Sequence, residues 1–254
     1  MASLYDRPDL YDLPDNEGKD KATKAHWEKV FSGKDIESVL DVSIGTGGLT
    51  LPMAELGIRL CGSDLSESML ARCRKKAEEK GMKIDLRASD FRNVSKVFPE
   101  PFDCVMSTGN SLAYVNNADV RRALHEMDAL VKPGGYLYLD TRNWDKILKE
   151  RQRFFLYNPI FKDDQRINII QVWDYPSKES MIFNILYTFE KDAKIIRREE
   201  FQEHYFPVSL DLIKDMLNEL NYTDLNIMPL PAQAGKFDIE KTHWYCLIAK
   251  KGGL

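Results

Sequence analysis

Cysteine is scarce in this chain: Cys61, Cys73, Cys104 and Cys246 stand far apart in 254 residues, with no C-x-x-C pair. Three of them fall inside apolar, strand-like runs, which predicts buried structural thiols rather than a metal site or a disulfide. The four histidines, His26, His125, His204 and His243, show neither H-x₃-H nor H-E-x-x-H spacing, so no metal is expected. No apolar run approaches the roughly 18 residues that a membrane helix needs. The start, Met1-Ala2-Ser3-Leu4-Tyr5-Asp6, lacks a basic-then-apolar leader, which makes the cytoplasm the expected location. There is no excess of basic residues either. A net charge of −4 argues against nucleic acid or an anionic membrane as a partner. What is left is an ordinary globule, 43% apolar and 30% charged, long enough for one α/β domain with an insertion.

The most informative stretch is Val39-Leu40-Asp41-Val42-Ser43-Ile44-Gly45-Thr46-Gly47-Gly48. A short apolar run ends in an acid and drops into a Gly-Thr-Gly turn. A helical segment and a second apolar run, ending at Asp64, complete a β-α-β unit. Glycines let the backbone approach a ligand closely, and a carboxylate at the second strand tip can accept both hydroxyls of a ribose. The unit reads as a nucleoside-cofactor site. A dinucleotide fingerprint would need Gly or Ala at position 50, where this chain has Thr50, and no G-x-x-x-x-G-K-[ST] loop is present. The D-x-x-x-G-T-G pattern that remains is similar to the S-adenosylmethionine motif of class I methyltransferases.

Along the chain, residues 1–20 read as an irregular arm rich in Asp, Pro and Tyr, and a helix is predicted from Lys21 to Phe31. Strands near 38–43, 58–63, 83–88, Phe102–Ser107 and Tyr136–Thr141 alternate with helices at 48–57, 67–80 (opened by Ser66) and 117–130. Lys132-Pro133-Gly134-Gly135 reads as a turn. This alternation predicts a doubly wound, mostly parallel sheet. It stops after Trp144, where β-rich runs at Ile167–Trp173, Met181–Phe189 and Phe201–Phe206 suggest an inserted antiparallel lid. A helix at 209–221 and strands near 224–229 and 243–249 return to the core. The expected organisation is thus an arm (1–20), a cofactor-binding core (21–150), a substrate lid (151–206) and the end of the core (207–254).

In open α/β sheets ligands bind beyond the carboxyl ends of the strands. Gly45 and Gly47, Asp64, Ser89-Asp90-Phe91, Thr108-Gly109-Asn110 and Arg142 all fall at such ends. Each strand-end acid taken singly can equally be a helix N-cap. Asp90 and Phe91 suit an adenine, with core packing as the rival for Phe91. Asn110 carries both a donor and an acceptor where the transferred methyl should emerge. Arg142 offers a fork for a carboxylate or phosphate, against a surface salt bridge with Asp140 or Asp145. Tyr5 and Tyr11 in the arm are suspected of docking over the site.

Two longer stretches narrow the family. Phe102 through Tyr114, containing Gly109-Asn110-Ser111, and Leu139 through Leu148, containing Asp140-Thr141-Arg142-Asn143-Trp144, resemble glycine N-methyltransferases and glycine/sarcosine N-methyltransferases. The resemblance runs from about residue 36 to 150 and more loosely beyond. It implies a seven-stranded, Rossmann-like sheet, S-adenosylmethionine as cofactor and a small amine as substrate, with room for a homo-oligomer. Carried over residue by residue, it gives Asn110 and Arg142 to the substrate, the arginine holding its carboxylate. Tyr157, Tyr187 and Tyr205 line up with tyrosines near the substrate and sulfonium, and Tyr11 with one that covers the cofactor. The full cofactor set is Tyr11, Ser43, Gly45, Thr46, Gly47, Asp64, Leu65, Met69, Asp90, Phe91, Thr108, Gly109 and Tyr114. Ser43-Ile44 and Tyr114 depart from the family pattern, the latter standing where histidine is usual. Small-molecule N-methylation by in-line transfer is the expected reaction. An amino-sugar N-methyltransferase, an O-methyltransferase and a non-catalytic S-adenosylmethionine binder stay open as alternatives.

Overall fold

A computed structural model of the chain describes residues 3–232 and 237–253. The β-α-β unit expected around the glycine turn is its centre. Strand β1 (Ser38–Asp41) is buried at every position, and β2 (Arg59–Asp64) lies parallel beside it, Leu40 opposite Cys61. Continuous burial of a Val-Leu-rich run is what a parallel strand covered on both faces requires. β3 (Asp85–Ala88), β4 (Phe102–Ser107) and β5 (Val131–Arg142) extend the parallel sheet.

The four cysteines are free and buried, as their apolar settings predicted. Five of the helices are α2 (Glu17–Phe31), α3 (Glu67–Glu79), α4 (Asn117–Asp128), α5 (Trp144–Glu150) and α6 (Leu210–Glu219). They are capped by Asn16, Ser66, Asn116, Asn143 and Ser209, each accepting from a backbone amide three residues on.

Four local expectations are corrected. The arm is not irregular: Ser3 and Asp6 form a capping box on a 3₁₀ turn, Leu4–Asp6, and Pro8 opens a short helix α1 (Pro8–Tyr11). The first long helix starts at Glu17 rather than Lys21, because Asn16 caps it. The expected helix at 48–57 is only a 3₁₀ run, Leu51–Leu56, whose early Pro52 supplies no amide hydrogen. Lys132-Pro133-Gly134-Gly135 bulges within β5 instead of preceding it, with Gly134 at φ +73° and a register shift against β4.

After α5 come β6 (Phe154–Leu156), β7 (Ile160–Lys162), β8 (Gln165–Asp174), β9 (Met181–Lys191) and β10 (Lys194–Tyr205), all antiparallel. They form a second sheet in the order β10-β9-β8-β6, with β7 also on β8. Strand period sends Trp173 of β8, Phe183 and Tyr187 of β9 and Phe201, Glu203 and Tyr205 of β10 to the buried side. That side packs on the first sheet's carboxyl end, with Trp144 of α5 5.6 Å from the Tyr205 ring and 6.1 Å from the Phe183 ring. The chain then returns through α6 to β11 (Tyr222–Pro229) and β12 (Trp244–Lys251). The main sheet closes in the order β3-β2-β1-β4-β5-β12-β11, with β12 antiparallel to both neighbours. Strand order reverses between β1 and β4, so the crevice lies outside their ends.

Candidate active site

The glycine turn leaves β1 at that reversal point. Gly45 has φ +55°, and a Cβ built on it would meet nothing within 4 Å. The backbone there is open to a ligand. Gly47, at φ +76°, is glycine for another reason: a Cβ would lie 2.6 Å from Leu51 Cγ, inside the packing. Asp64 Oδ2 accepts from the Gly45 amide at 2.9 Å, and its Oδ1 accepts from the Ser66 amide at 2.9 Å. Both oxygens keep a lone pair for a hydroxyl. Burial raises the Asp64 pKa, and those backbone amides pull it back.

Two carboxylates brace the loops from beneath. Asp41 accepts from the Ser43 amide at 3.0 Å and from Thr108 Oγ1 at 2.8 Å, tying the turn after β1 to the turn after β4. Asp140 accepts from the Gly109 amide at 2.8 Å. Burial pushes both up to about 7. Behind Asp140, the Tyr138 hydroxyl bonds His26 Nε2 at 3.0 Å, and His26 Nδ1 accepts from the Ala232 amide. That bond fixes the neutral tautomer, and burial drives the His26 pKa down to about 4.

Two adjoining cavities occupy the crevice. The wider, about 770 Å³, is lined among others by Asp64, Leu65, Asp90, Phe91, Tyr114 and Glu203. The narrower, about 370 Å³, runs past Tyr11, Gly45, Thr46, Thr108, Gly109 and Trp244. Tyr5, Ser43, Asp64 and Ser111 border both. Leu65 presents an exposed side chain at the rim, whereas Met69, in the first turn of α3, is wholly buried and lines neither cavity. Asp90 combines two roles. It caps the 3₁₀ run Phe91–Lys96 and is clamped by the Arg92 guanidinium, which lowers its pKa, while still facing the wider cavity.

The arm closes over this crevice. Asp12 accepts from Thr46 Oγ1 at 2.6 Å and from Arg72 Nε at 2.7 Å. The Tyr5 carbonyl accepts from the Ser66 and Ser68 hydroxyls, and the Tyr5 ring lies 5.6 Å from that of Tyr11.

Beyond the turn after β4, Asn110 sits in left-handed backbone at φ +65°. Its Oδ1 accepts from Thr141 Oγ1, the Arg142 amide and Trp144 Nε1, at 2.9 to 3.1 Å, while its buried Nδ2 has no partner among the described residues. Arg142 is 6% exposed. Neither Asp140 nor Asp145 pairs with it: Asp140 is turned to Gly109, and Asp145 accepts from the Leu210 amide. The guanidinium has no ion pair among the described residues and lies instead over Trp244 (4.6 Å), Phe183 (5.1 Å) and Trp173 (5.4 Å). Tyr205 is near enough for the Arg142 charge to oppose burial, which pushes that phenol up to about 12. Tyr205 shares a 2.6 Å hydroxyl contact with Tyr114. Tyr187 is buried against Phe201, and Tyr157 is half-exposed beside Phe155, at the edge of this group.

The structure therefore gathers Ser43, Gly45, Thr46, Asp64, Leu65, Asp90, Phe91, Thr108, Gly109, Tyr11 and Tyr114 around one crevice. Asn110, Arg142 and Tyr205 lie behind its wall, with Tyr205 bonded to Tyr114, and Gly47, Met69, Tyr157 and Tyr187 do not line it. Sequence reading passed over the aromatic box around Arg142 and the buried acid Glu203. The alternation Phe201-Gln202-Glu203-His204-Tyr205 held the clue for Glu203, since it puts a carboxylate in an inward apolar row.

Residues 39–135 match a methyltransferase domain model. A glycine/sarcosine N-methyltransferase of Parasynechococcus marenigrum (strain WH8102) is 35% identical over 113 residues, 44% of this chain and 40% of the relative. The chain thus aligns with less than half of that relative's length. Among solved structures, an S-adenosylmethionine-dependent methyltransferase from Clostridium acetobutylicum superposes with a TM-score of 0.76 at 19% identity, covering 96% of this chain and 97% of the other. An amino pentose methyltransferase from Micromonospora echinaspora superposes with a TM-score of 0.74 at 15% identity, covering 99% and 98%. These two share the fold. The chain carries a class I S-adenosylmethionine-dependent methyltransferase domain, and the open Gly45, the carboxylate of Asp64 and the paired cavities fit that cofactor.

Proposed function

We propose that the protein is an N-methyltransferase that moves a methyl group from S-adenosylmethionine to a small amine bearing a carboxylate. One observation carries this reading: Arg142 is buried with no acidic partner among the described residues. An unpaired buried charge is costly, and aromatic faces return only part of that cost. A bidentate carboxylate is the ligand such a fork is shaped for.

The cofactor supplies an activated methyl on a sulfonium, so the protein's work is placement and exclusion of water. Asp64 and the open backbone at Gly45 hold the nucleoside, and Asp90 with Phe91 borders the base. Tyr11, carried on the arm, covers the site. Arg142 anchors the acceptor, and Asn110 aims its amine. The likeness to a glycine/sarcosine N-methyltransferase supports the acceptor class.

Methyl-labelled S-adenosylmethionine incubated with glycine, sarcosine, other amino acids, polyamines and amino-sugar nucleotides tests the reading, with products identified by mass. Transfer to a carboxylate-bearing amine is expected. The Arg142→Met variant should fold at least as stably, since an apolar chain replaces an unpaired charge, and should bind the cofactor normally. Its KM for the acceptor should rise about 30-fold or more, the equivalent of 2 kcal/mol lost from a buried charged contact. Unchanged KM, or transfer confined to amino sugars, would remove Arg142 as a carboxylate anchor.

A further inference from the structure

An amine with the basicity of an amino acid arrives as an ammonium at neutral pH and must shed a proton before it can attack. We propose, resting on the amine reading above, that Glu203 is the terminal acceptor of that proton, reached through the hydroxyls of Tyr205 and Tyr114.

The relay is built from two elements. On β10, Glu203 and Tyr205 are two residues apart and face the same way, both nearly fully buried. The Tyr205 hydroxyl is 2.6 Å from that of Tyr114, which is 2.8 Å from that of Tyr5. Glu203, Tyr114 and Tyr5 border the same cavity, and the far end of the chain, Tyr205, senses the Arg142 charge. Glu203 Oε1 accepts from Ser3 Oγ and the Leu4 amide, both at 2.9 Å, and the Tyr114 hydroxyl also reaches the carboxylate. No cation pairs with this carboxylate among those residues. The titratable groups facing it are Asp6 and Tyr5 on the arm, Tyr114 on the turn after β4 and Tyr205 on its own strand. Burial raises its pKa, opposed first by the Leu4 amide and Ser3 and last by the Tyr114 hydroxyl. A carboxyl of that kind holds a proton better than an exposed one.

The balance is simple. The ammonium N–H breaks and its proton goes to Tyr205 Oη, as the Tyr205 proton passes to Tyr114 Oη and the Tyr114 proton to Glu203 Oε2. The products are a neutral amine and a neutral carboxyl, with both tyrosines unchanged. No electron leaves or enters.

Glu203→Gln keeps an oxygen for Ser3 and Leu4 but cannot take the proton. Calorimetry should show S-adenosylmethionine bound as in the wild type. In protein labelled with ¹³C at glutamate carboxyls, one resonance should titrate above the usual value of about 4.3. That resonance should vanish in Glu203→Gln and move in Tyr114→Phe. With the acceptor amine identified by the panel, kcat/KM of Glu203→Gln should fall about 100-fold at pH 7. The deficit should close as pH approaches the pKa of the amine, which then arrives deprotonated. Tyr114→Phe should show the same closing deficit. A deficit independent of pH, no deficit, or no raised glutamate titration would overturn the relay while leaving amine methylation intact. No transfer from the wild type to any amine would overturn both.

Discussion

At the scale of single residues, the crevice is braced by acids that the folded state prefers neutral. Asp41 is fully buried and its pKa is pushed up to about 7. Unfolded, it titrates near the ordinary value of about 3.9. Between those values the folded protein binds more protons than the unfolded one, so this group's contribution to stability falls as pH rises through the window. The benefit is complete below about pH 4 and lost above about pH 7. Asp140 acts with the same sign and is itself raised further by Asp41. Asp41→Asn preserves the acceptor for the Ser43 amide and offers its amide to Thr108 Oγ1, which can turn from donor to acceptor. Urea unfolding across pH 4 to 8 should therefore give the variant a flatter slope, by up to about 1.4 kcal/mol per pH unit. Parallel curves for the two proteins would mean that Asp41 does not titrate in that range.

Arg142 shows what sequence can and cannot tell about a residue. Its position at a strand end was visible, because an apolar run stops there. Its lack of an acidic partner among the described residues was not. Asp140 and Asp145 are two and three residues away in sequence, yet the first is drawn to Gly109 and the second to Leu210. Its aromatic neighbours Trp173, Phe183 and Trp244 come from three separate strands, so no local pattern announces the box.

At the scale of elements, the arm depends on polar anchors. Asp12, nearly buried, joins Thr46 of the glycine turn to Arg72 and Lys76 on α3. Hydrogen bonds to a charged group contribute about 1.5–3 kcal/mol each. Asp12→Ala should consequently loosen α1 and Tyr11 from the crevice. The expected result is an affinity for S-adenosylmethionine about tenfold weaker, or 1.4 kcal/mol, with faster proteolysis before α2. The urea midpoint should fall as well, because Leu10 of α1 is buried in the main core. Equal cofactor affinity in both proteins would take the arm out of the binding site. The strands were read more faithfully than the connections between them. β4, α3 and the long strands of the second sheet follow hydrophobic period and caps that lie within a few residues. The order of the arm is not legible locally, because its turns are held by Ser3, Asp6 and Asp12, whose partners lie one turn away, on β10, in the glycine turn and on α3.

At the scale of the whole molecule, the crevice draws on nearly every layer: the arm, the ends of β1 to β5, and Glu203 from the second sheet, with Tyr205 bonded behind Tyr114. A ligand filling it should stabilise the fold as a unit. One that binds only the folded state adds about 2.7 kcal/mol at a hundred times its Kd. In a chain of this size each kcal/mol raises Tm by about 2–4 °C, so S-adenosylmethionine should shift the melting transition upward by about 5–10 °C. Its demethylated product, which keeps the adenosine and the amino-acid end, should act in the same direction. A nicotinamide dinucleotide should not. Thr50 stands, fully buried, where that cofactor's fingerprint requires a glycine or alanine for the helix to approach the strand. Differential scanning fluorimetry with the three compounds decides the matter. A shift from the dinucleotide alone would mean that the open Gly45 and the carboxylate of Asp64 serve a different nucleoside. A shift from S-adenosylmethionine that survives Asp64→Ala undiminished would mean that the ligand is held elsewhere in the crevice.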